Sequence, residues 1–297
     1  EHARGFRVIN HDCSDEAMLS FVGETEAGLP VWVNRVVAEA DVKILTGVIT
    51  PHHAAGFSGG RKSILPGVAG LESLKVHHSF PIRPYDPVLG KIEGNAFHEE
   101  SVKAARLAGV DFILNAVVNG RREIVSVVAG DLEEAYNEGV RTCRFIWEVP
   151  MPSLADITIV SPGGYPRDFN LHQSQKAISC AELVTRPGGV IIVVAECRDG
   201  VGKFGGWLKS ASSPGEVIER FRREGFTGEA SNKAFMFARA LVKHKVIMVT
   251  GGLERDELES MFLLKADSVE EAFSLALDEV GPGAKVSVIP LASDMIP

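Results

Sequence analysis

Between Pro51 and Gly67 the sequence reads PHHAAGFSGGRKSILPG, and Val76-His77-His78-Ser79 follows shortly after. Imidazoles, a guanidinium, an amine and four glycines in so short a span bring together distinct chemistries. Histidine exchanges protons near neutral pH or ligates a metal, and glycine lets the backbone approach a ligand and present its N–H groups. A nucleotide P-loop is the first pattern to test, because Gly56 to Ser63 (GFSGGRKS) almost fits G-x-x-x-x-G-K-[ST]. It fails at Arg61, where that loop needs glycine before the lysine so that its backbone can wrap a phosphate. Ser58, Gly59, Gly60, Arg61, Lys62 and Ser63 still suit a phosphoryl group through backbone donors, hydroxyls and positive charge. His52, His53, His77 and His78 raise the question of zinc, yet no H-E-x-x-H or C-x-x-C pattern completes a set. Adjacent histidines tend to diverge, so at most one of each pair is expected at a single site. The blander reading of each is a solvated or hydrogen-bonded loop residue.

These residues need elements to hold them. Asp41 to Thr50 (DVKILTGVIT) is a nearly continuous apolar strand that predicts a buried parallel sheet, and the histidine and glycine stretch begins just past its carboxyl end. Open α/β sheets place their ligands there. Phe6 to Asn10 and Leu29 to Asn34 read as strands, Asn95 to Ala108 as an amphipathic helix, Val110 to Asn119 and Ile124 to Ala129 as strands, and Asp131 to Trp147 as a long helix. Pro150-Met151-Pro152-Ser153 breaks the pattern. Beyond it, strands at Ala155 to Val160, Gly189 to Ala195, Lys245 to Thr250 and Lys285 to Pro290 alternate with helices at Phe169 to Val184, Ser213 to Glu224, Lys233 to His244 and Val269 to Val280. The expected architecture is therefore two Rossmann-like α/β domains with mainly parallel sheets and a site in the cleft between them. Residues 1–150 would form the remainder of a cofactor-binding domain, 151–285 a second α/β domain, and 286–297 a terminal strand or tail returning to the first.

Composition narrows the function. With 297 residues, 45% of them hydrophobic, the chain can bury a full core. A net charge of −8 argues against nucleic-acid or anionic-membrane binding, which rests on clustered Lys and Arg, so any basic site has to be local. Cys13, Cys143, Cys180 and Cys197 lie far apart and read as reduced thiols of a cytoplasmic protein. Nothing resembles a membrane span or a signal peptide. The missing initiator methionine points to a fragment or processed chain. Oligomeric state is left open.

His52, the run GFSGGRKSILPG and His78 together resemble the signature of the nickel-pincer racemases and epimerases, of which lactate racemase is the founding activity. The resemblance extends to Asn10-His11-Asp12-Cys13, to Gly163-Gly164-Tyr165-Pro166-Arg167-Asp168 and to Gln173-x-x-Lys176, and is weakest in the last hundred residues. It implies that Lys62 carries a pyridinium-3,5-bisthiocarboxylic acid mononucleotide as a thioamide. This nickel-pincer nucleotide holds nickel through two sulfurs and a ring carbon, with His78 as the fourth ligand. His52 would be a catalytic acid/base. Gln173 and Lys176, on one face of their helix, would contact substrate or cofactor. Ser58, Gly59, Gly60, Arg61 and Ser63 would then hold the cofactor phosphate.

The implied reaction is racemisation or epimerisation of a lactate-like 2-hydroxy acid. Histidine takes the hydroxyl proton, the Cα hydride passes to the pincer carbon, and the planar keto acid receives it back on the other face. The implied partners are the small-molecule acid and the enzymes of cofactor biosynthesis. In that family a second catalytic histidine and an arginine gripping the substrate carboxylate stand well upstream of the lysine, before Glu1 here. His2 and His11 are stand-ins that no spacing argument favours. The alternatives are a non-catalytic cofactor-binding fragment or carrier, and a phosphate-ester-binding enzyme without nickel.

Overall fold

The computed structural model describes residues 5–80, 82–228, 231–293 and 295–297. In chain order the first half forms β1 (Leu19–Glu24), β2 (Pro30–Asn34), α1 (Arg35–Glu39), β3 (Ile44–Ile49), the short β4 (Pro51–His52) and β5 (Gly56–Phe57), α2 (Leu71–His77), α3 (Ala96–Leu107), β6 (Phe112–Val118), β7 (Ile124–Gly130) and α4 (Glu134–Trp147). The second half continues with β8 (Ala155–Val160), α5 (Leu171–Val184), β9 (Thr185–Val194), α6 (Gly205–Lys209), α7 (Pro214–Glu224), α8 (Ser231–Leu241), β10 (Lys245–Val249), α9 (Arg255–Glu259), β11 (Leu264–Ala266), α10 (Val269–Val280) and β12 (Val286–Ile289). The fold is mixed α/β, with strands of the two halves in separate sheets.

The larger sheet has the order β11-β10-β9-β8-β12 and is parallel throughout. Ile191, Val193, Val246 and Met248 face a core shared with Ala177, Ile178 and Ala181 of α5 and with α8. Val190, Ile192, Ile157 and Ile247 face Ala272 and Ala276 of α10 on the other side. Burial on both faces is why these strands read as unbroken apolar runs. Strand order reverses at β8, which lies between β9 and β12. A doubly wound sheet opens its ligand crevice beyond the strand ends at such a point.

The smaller sheet departs from the expected buried parallel arrangement. β3 pairs parallel with β6, but β6 and β7 form an antiparallel hairpin, its turn held by Asn119 Oδ1 accepting from the amides of Arg121 and Glu123. Leu45, Ile49, Ile113, Val117 and Val128 pack beneath Tyr136, Val140 and Cys143 of α4, whereas Ile44, Val48, Leu114 and Val127 are exposed on the opposite face. The run from Asp41 is thus buried at alternate positions rather than continuously. Phe6 to Asn10 forms no strand, since nothing pairs with it, and the antiparallel partner of β2 is β1. β11, α6 and α9 are short elements that the sequence pattern did not single out. β12 belongs to the larger sheet, while the Ile296 backbone bonds to Trp147 and Val149 at the end of the first half.

All four cysteines are free, and Cys143, Cys180 and Cys197 are buried. Among the described residues no helix is long and apolar enough to cross a membrane.

One buried ion pair ties the helices of the second half to the loop after α2. Arg239 of α8 donates from Nε and Nη2 to both oxygens of Glu182 in α5, at 3.0 and 2.7 Å, and from Nη1 to the carbonyl of Tyr85. Removing one partner leaves a buried charge without compensation. Glu182→Ala is expected to lower unfolding free energy by about 3–5 kcal/mol in urea titrations, and the double change Glu182→Met with Arg239→Met to recover most of that loss.

Candidate active site

The histidine and glycine stretch leaves the carboxyl end of β3, makes the narrow β4–β5 pair and returns through a 3-10 turn over Gly60–Ser63. Its polar groups mostly hold the loop itself. Ser58 Oγ bonds to the Val48 carbonyl at 2.9 Å and to the backbone and hydroxyl of Thr50, and Ser63 Oγ donates to the Thr46 carbonyl at 3.2 Å. Gly60 N–H donates to Asn115 Oδ1 at 2.7 Å. Gly59 and Gly60 have positive φ, and a Cβ would meet Asn115 Oδ1 at 2.5 Å in one and the Tyr136 ring at 2.9 Å in the other, so only glycine passes here. Arg61 is buried and donates to Tyr136 Oη, the Ala55 carbonyl and the Gly59 carbonyl, with only Nε left without a partner. Burial raises the Tyr136 phenol to about 12, so it meets the guanidinium as a neutral hydroxyl.

What this pinned loop presents is Lys62 among four imidazoles. Burial first, then the positive charges of Arg61, Arg83 and Lys176, bring the Lys62 amine down to about 7. Its Nζ makes no hydrogen bond or ion pair among the described residues. Burial also pushes His52, His53 and His78 well below the ordinary imidazole range, with Lys62 adding to the effect at each. They are neutral rings, and their hydrogen bonds assign their tautomers. His78 Nδ1 lies 3.1 Å from the Leu74 carbonyl, so it carries the proton and leaves the Nε2 lone pair as a metal ligand. His52 does the opposite: Nδ1 accepts from the amides of Ala54 and Ala55 at 3.2 and 3.1 Å, so proton exchange with a ligand runs through Nε2.

His77 turns away from its neighbour at 82°, bonds through Nε2 to the Phe97 carbonyl and Ser101, and is held near 3 by burial. That pair diverges as expected. His52 and His53 do not, because the tight turn stacks their rings 4.5 Å apart at 19°. His11 is a packing residue, engaged at both nitrogens by Ala69 and Asn34, and His2 lies outside the described residues. Among the described residues no three His, Cys, Asp or Glu side chains form a metal-binding group.

The second half closes the site. A cavity of about 600 Å³ is lined by Val48, His52 and His53 from the first half and by Arg167, Lys176 and Ser293 from the segments after β8 and β12. It therefore opens at the carboxyl ends of β3, β8 and β12. Lys62 and His78 are not in its wall, although Lys176 is close enough to bear on the Lys62 amine. Gln173 stands in the first turn of α5, half-buried, with its amide capped by Asn170, and its side chain is not in that wall either.

Residues 2–86 match the model of the lactate racemase N-terminal domain, and residues 151–296 that of the lactate racemase C-terminal domain. The chain is 37% identical over 292 residues to a lactate racemase of Thermoanaerobacterium thermosaccharolyticum, covering 96% of itself and 68% of that protein. The chain belongs to the lactate racemase family. A second relative, a lactate racemase of Lactiplantibacillus plantarum, is 36% identical over 290 residues, 95% of this chain and 68% of that one. The structure of the lactate racemase apoprotein from T. thermosaccharolyticum superposes with a TM-score of 0.90 at 36% identity, over 96% of this chain and 70% of the other. A Thermotoga maritima protein of 18% identity, with a TM-score of 0.69 and coverage of 97% and 77%, shares the fold.

Within this family member, sequence reasoning weighed His53 only as a candidate metal ligand and passed over Arg83 and Lys233. Arg83 hides in a proline-rich segment. Lys233 reads as a solvated helix residue, but its helix, SNKAFMFARAL, is apolar around much of its circumference, which signals a buried helix and hence a buried lysine.

The lowered Lys62 value gives a signed prediction. Between about 7 and the ordinary 10.5 the unfolded chain binds a proton that the folded one refuses, so stability rises with pH across that window. Lys62→Met is expected to be more stable than the parent at pH 7, with the gap narrowing toward pH 10 in paired urea titrations. Acylation followed by mass spectrometry should label Lys62 with a midpoint near about 7, against about 10 for exposed lysines.

Proposed function

We propose that this chain carries the nickel-pincer nucleotide on Lys62 and takes part in racemising lactate or a close 2-hydroxy acid. The observation that carries this reading is the pairing of Lys62, whose amine is brought down to about 7, with a His78 whose Nε2 lone pair is left open by the Nδ1 contact to Leu74. A neutral amine is the state that forms a covalent link, and a neutral imidazole is the state that ligates a metal. The lack of a protein-only metal group fits a metal whose other donors arrive with an organic cofactor. Membership of a family whose relatives are named lactate racemase supports an isomerase and suggests the substrate.

Inversion at the hydroxyl-bearing carbon removes the O–H proton and the Cα hydride, giving a planar 2-keto acid, and returns the hydride to the opposite face. When bound, the cofactor supplies the hydride acceptor. The chain's residues supply the remainder. Lys62 attaches the group, and His78 offers Nε2 to nickel. His52 holds or moves the hydroxyl proton at Nε2, and accepting it there requires Nδ1 to release the Ala54 and Ala55 amides. Lys176, in the cavity wall with His52, orients a carboxylate, with Gln173 one turn away on α5. Ser58, Gly59, Gly60, Arg61 and Ser63 act by fixing the loop that aims Lys62. In this reading residues 1–150 and 151–285 are the two working domains, with the site between them.

Intact-mass analysis after coexpression with the cofactor-making enzymes tests the reading. An adduct is expected on the parent and absent from Lys62→Ala. His78→Ala should keep the adduct while losing nickel by elemental analysis. His52→Ala should keep both and slow inversion at least about 100-fold in chiral chromatography. An unmodified, nickel-free parent would overturn it.

A further inference from the structure

Buried cations in folded proteins are paired, and this protein follows that rule except beside the proposed cofactor lysine. Arg239 has Glu182, and Arg61 has Tyr136 and two carbonyls. Arg83 is 3% exposed, and its guanidinium makes a single hydrogen bond, to the sulfur of Met236 at 2.7 Å, with its carbon 5.6 Å from the Phe97 ring centroid. Lys233 is 7% exposed and donates only to Gln175 Oε1, at 2.9 Å, while Gln175 Nε2 donates on to Ser179. Lys233 and Met236 lie three apart on α8, hence on one face, so the guanidinium touching Met236 stands within about a helical turn of the ammonium.

Among the described residues no carboxylate answers this pair. The buried acids among the described residues are Glu100, Asp168 and Glu182. They meet Thr25 and Lys103, the Glu196 amide, and Arg239 respectively. Burial first, then Arg83 and Lys176, pushes the Lys233 amine well below the ordinary lysine range, so it holds a proton there only when an anion is beside it, and Arg83 also bears on Lys62, His52 and His53. Two desolvated basic side chains beside Lys62 and Lys176 make a site for an oxyanion.

We propose that Arg83 and Lys233 form an oxyanion subsite next to Lys62, which binds the carboxylate of the substrate or the phosphate of the nucleotide. The choice of these two oxyanions rests on the reading of the site as that of a 2-hydroxy-acid racemase. The existence of the subsite does not, because it follows from the missing counter-ion.

Thermal unfolding of the cofactor-free protein, titrated with inorganic phosphate and separately with lactate at constant ionic strength, tests it. Chloride serves as the control anion. At least one of the two is expected to raise the melting temperature saturably. Arg83→Met and Lys233→Met should each weaken that apparent Kd at least about thirtyfold. Each should also melt no lower than the parent without anion, since removing an uncompensated buried charge relieves the fold. A merely structural cation would give the reverse: a lower melting temperature and an unchanged Kd. That outcome, or no response of the parent to either anion, overturns the proposal. If Arg83→Met does not fold, Lys233→Met decides alone. Response to phosphate only assigns the subsite to the nucleotide, and response to lactate only assigns it to the substrate. Anion binding by a parent that stays unmodified on Lys62 even after coexpression with the cofactor-making enzymes would retain the subsite and sink the nickel reading.

Discussion

The constraint on which the site depends is electrostatic: the Lys62 amine is held in a desolvated pocket beside other basic side chains and, among the described residues, pairs with no carboxylate. Lys62 faces Arg61, Arg83 and Lys176, and each makes its protonated form costlier. A group in that position either gives up its proton or meets an anion. Burial, reinforced by the same basic groups, keeps His52, His53 and His78 neutral, so His78 presents a lone pair at Nε2, whereas His52, with its proton at Nε2, has to change tautomer before it accepts one there. Elsewhere the fold treats buried charge conventionally, as Arg239 with Glu182 and Arg61 with Tyr136 demonstrate, which makes the imbalance local rather than general.

Holding cations together in this way requires rigid surroundings, and two sheets provide them. The loop after β3 is fastened from below by Asn115 on β6 and Tyr136 on α4, at positions where glycine is the only residue that fits. The opposing wall comes from the strand ends at the switch point of the larger sheet, through Arg167, Lys176 and Ser293. Residues more than a hundred positions apart thereby share one cavity. The glycines and hydroxyls that look like a phosphate cradle in the sequence serve mainly to fasten the loop, and the positive charge available to an anion stands behind it on Arg83 and Lys233.

Much of the architecture was legible because burial leaves a periodic trace. Strands β9 and β10 sit between helices on both faces and carry unbroken apolar runs, so their type and approximate limits could be read directly. β3 carries a similar run yet is covered on one side alone, and composition could not distinguish the two cases. Phe6 to Asn10 has the right residues for a strand and forms none, because a strand exists only where a partner offers hydrogen bonds.

By itself the sequence determined the α/β class, the family signature and the identity of the stretch that matters, since glycine spacing, a lysine and flanking histidines are properties of residue type and order. Only the tertiary structure decided what each of those residues meets. A hydrogen bond to Leu74 sets the His78 tautomer, two amides set that of His52, and stacking joins His52 to His53 while packing separates His77 from His78. Arg83 and Lys233 acquire meaning only from what surrounds them. Charge state and hydrogen bonding depend on neighbours distant along the chain, and which neighbours those are is settled by folding.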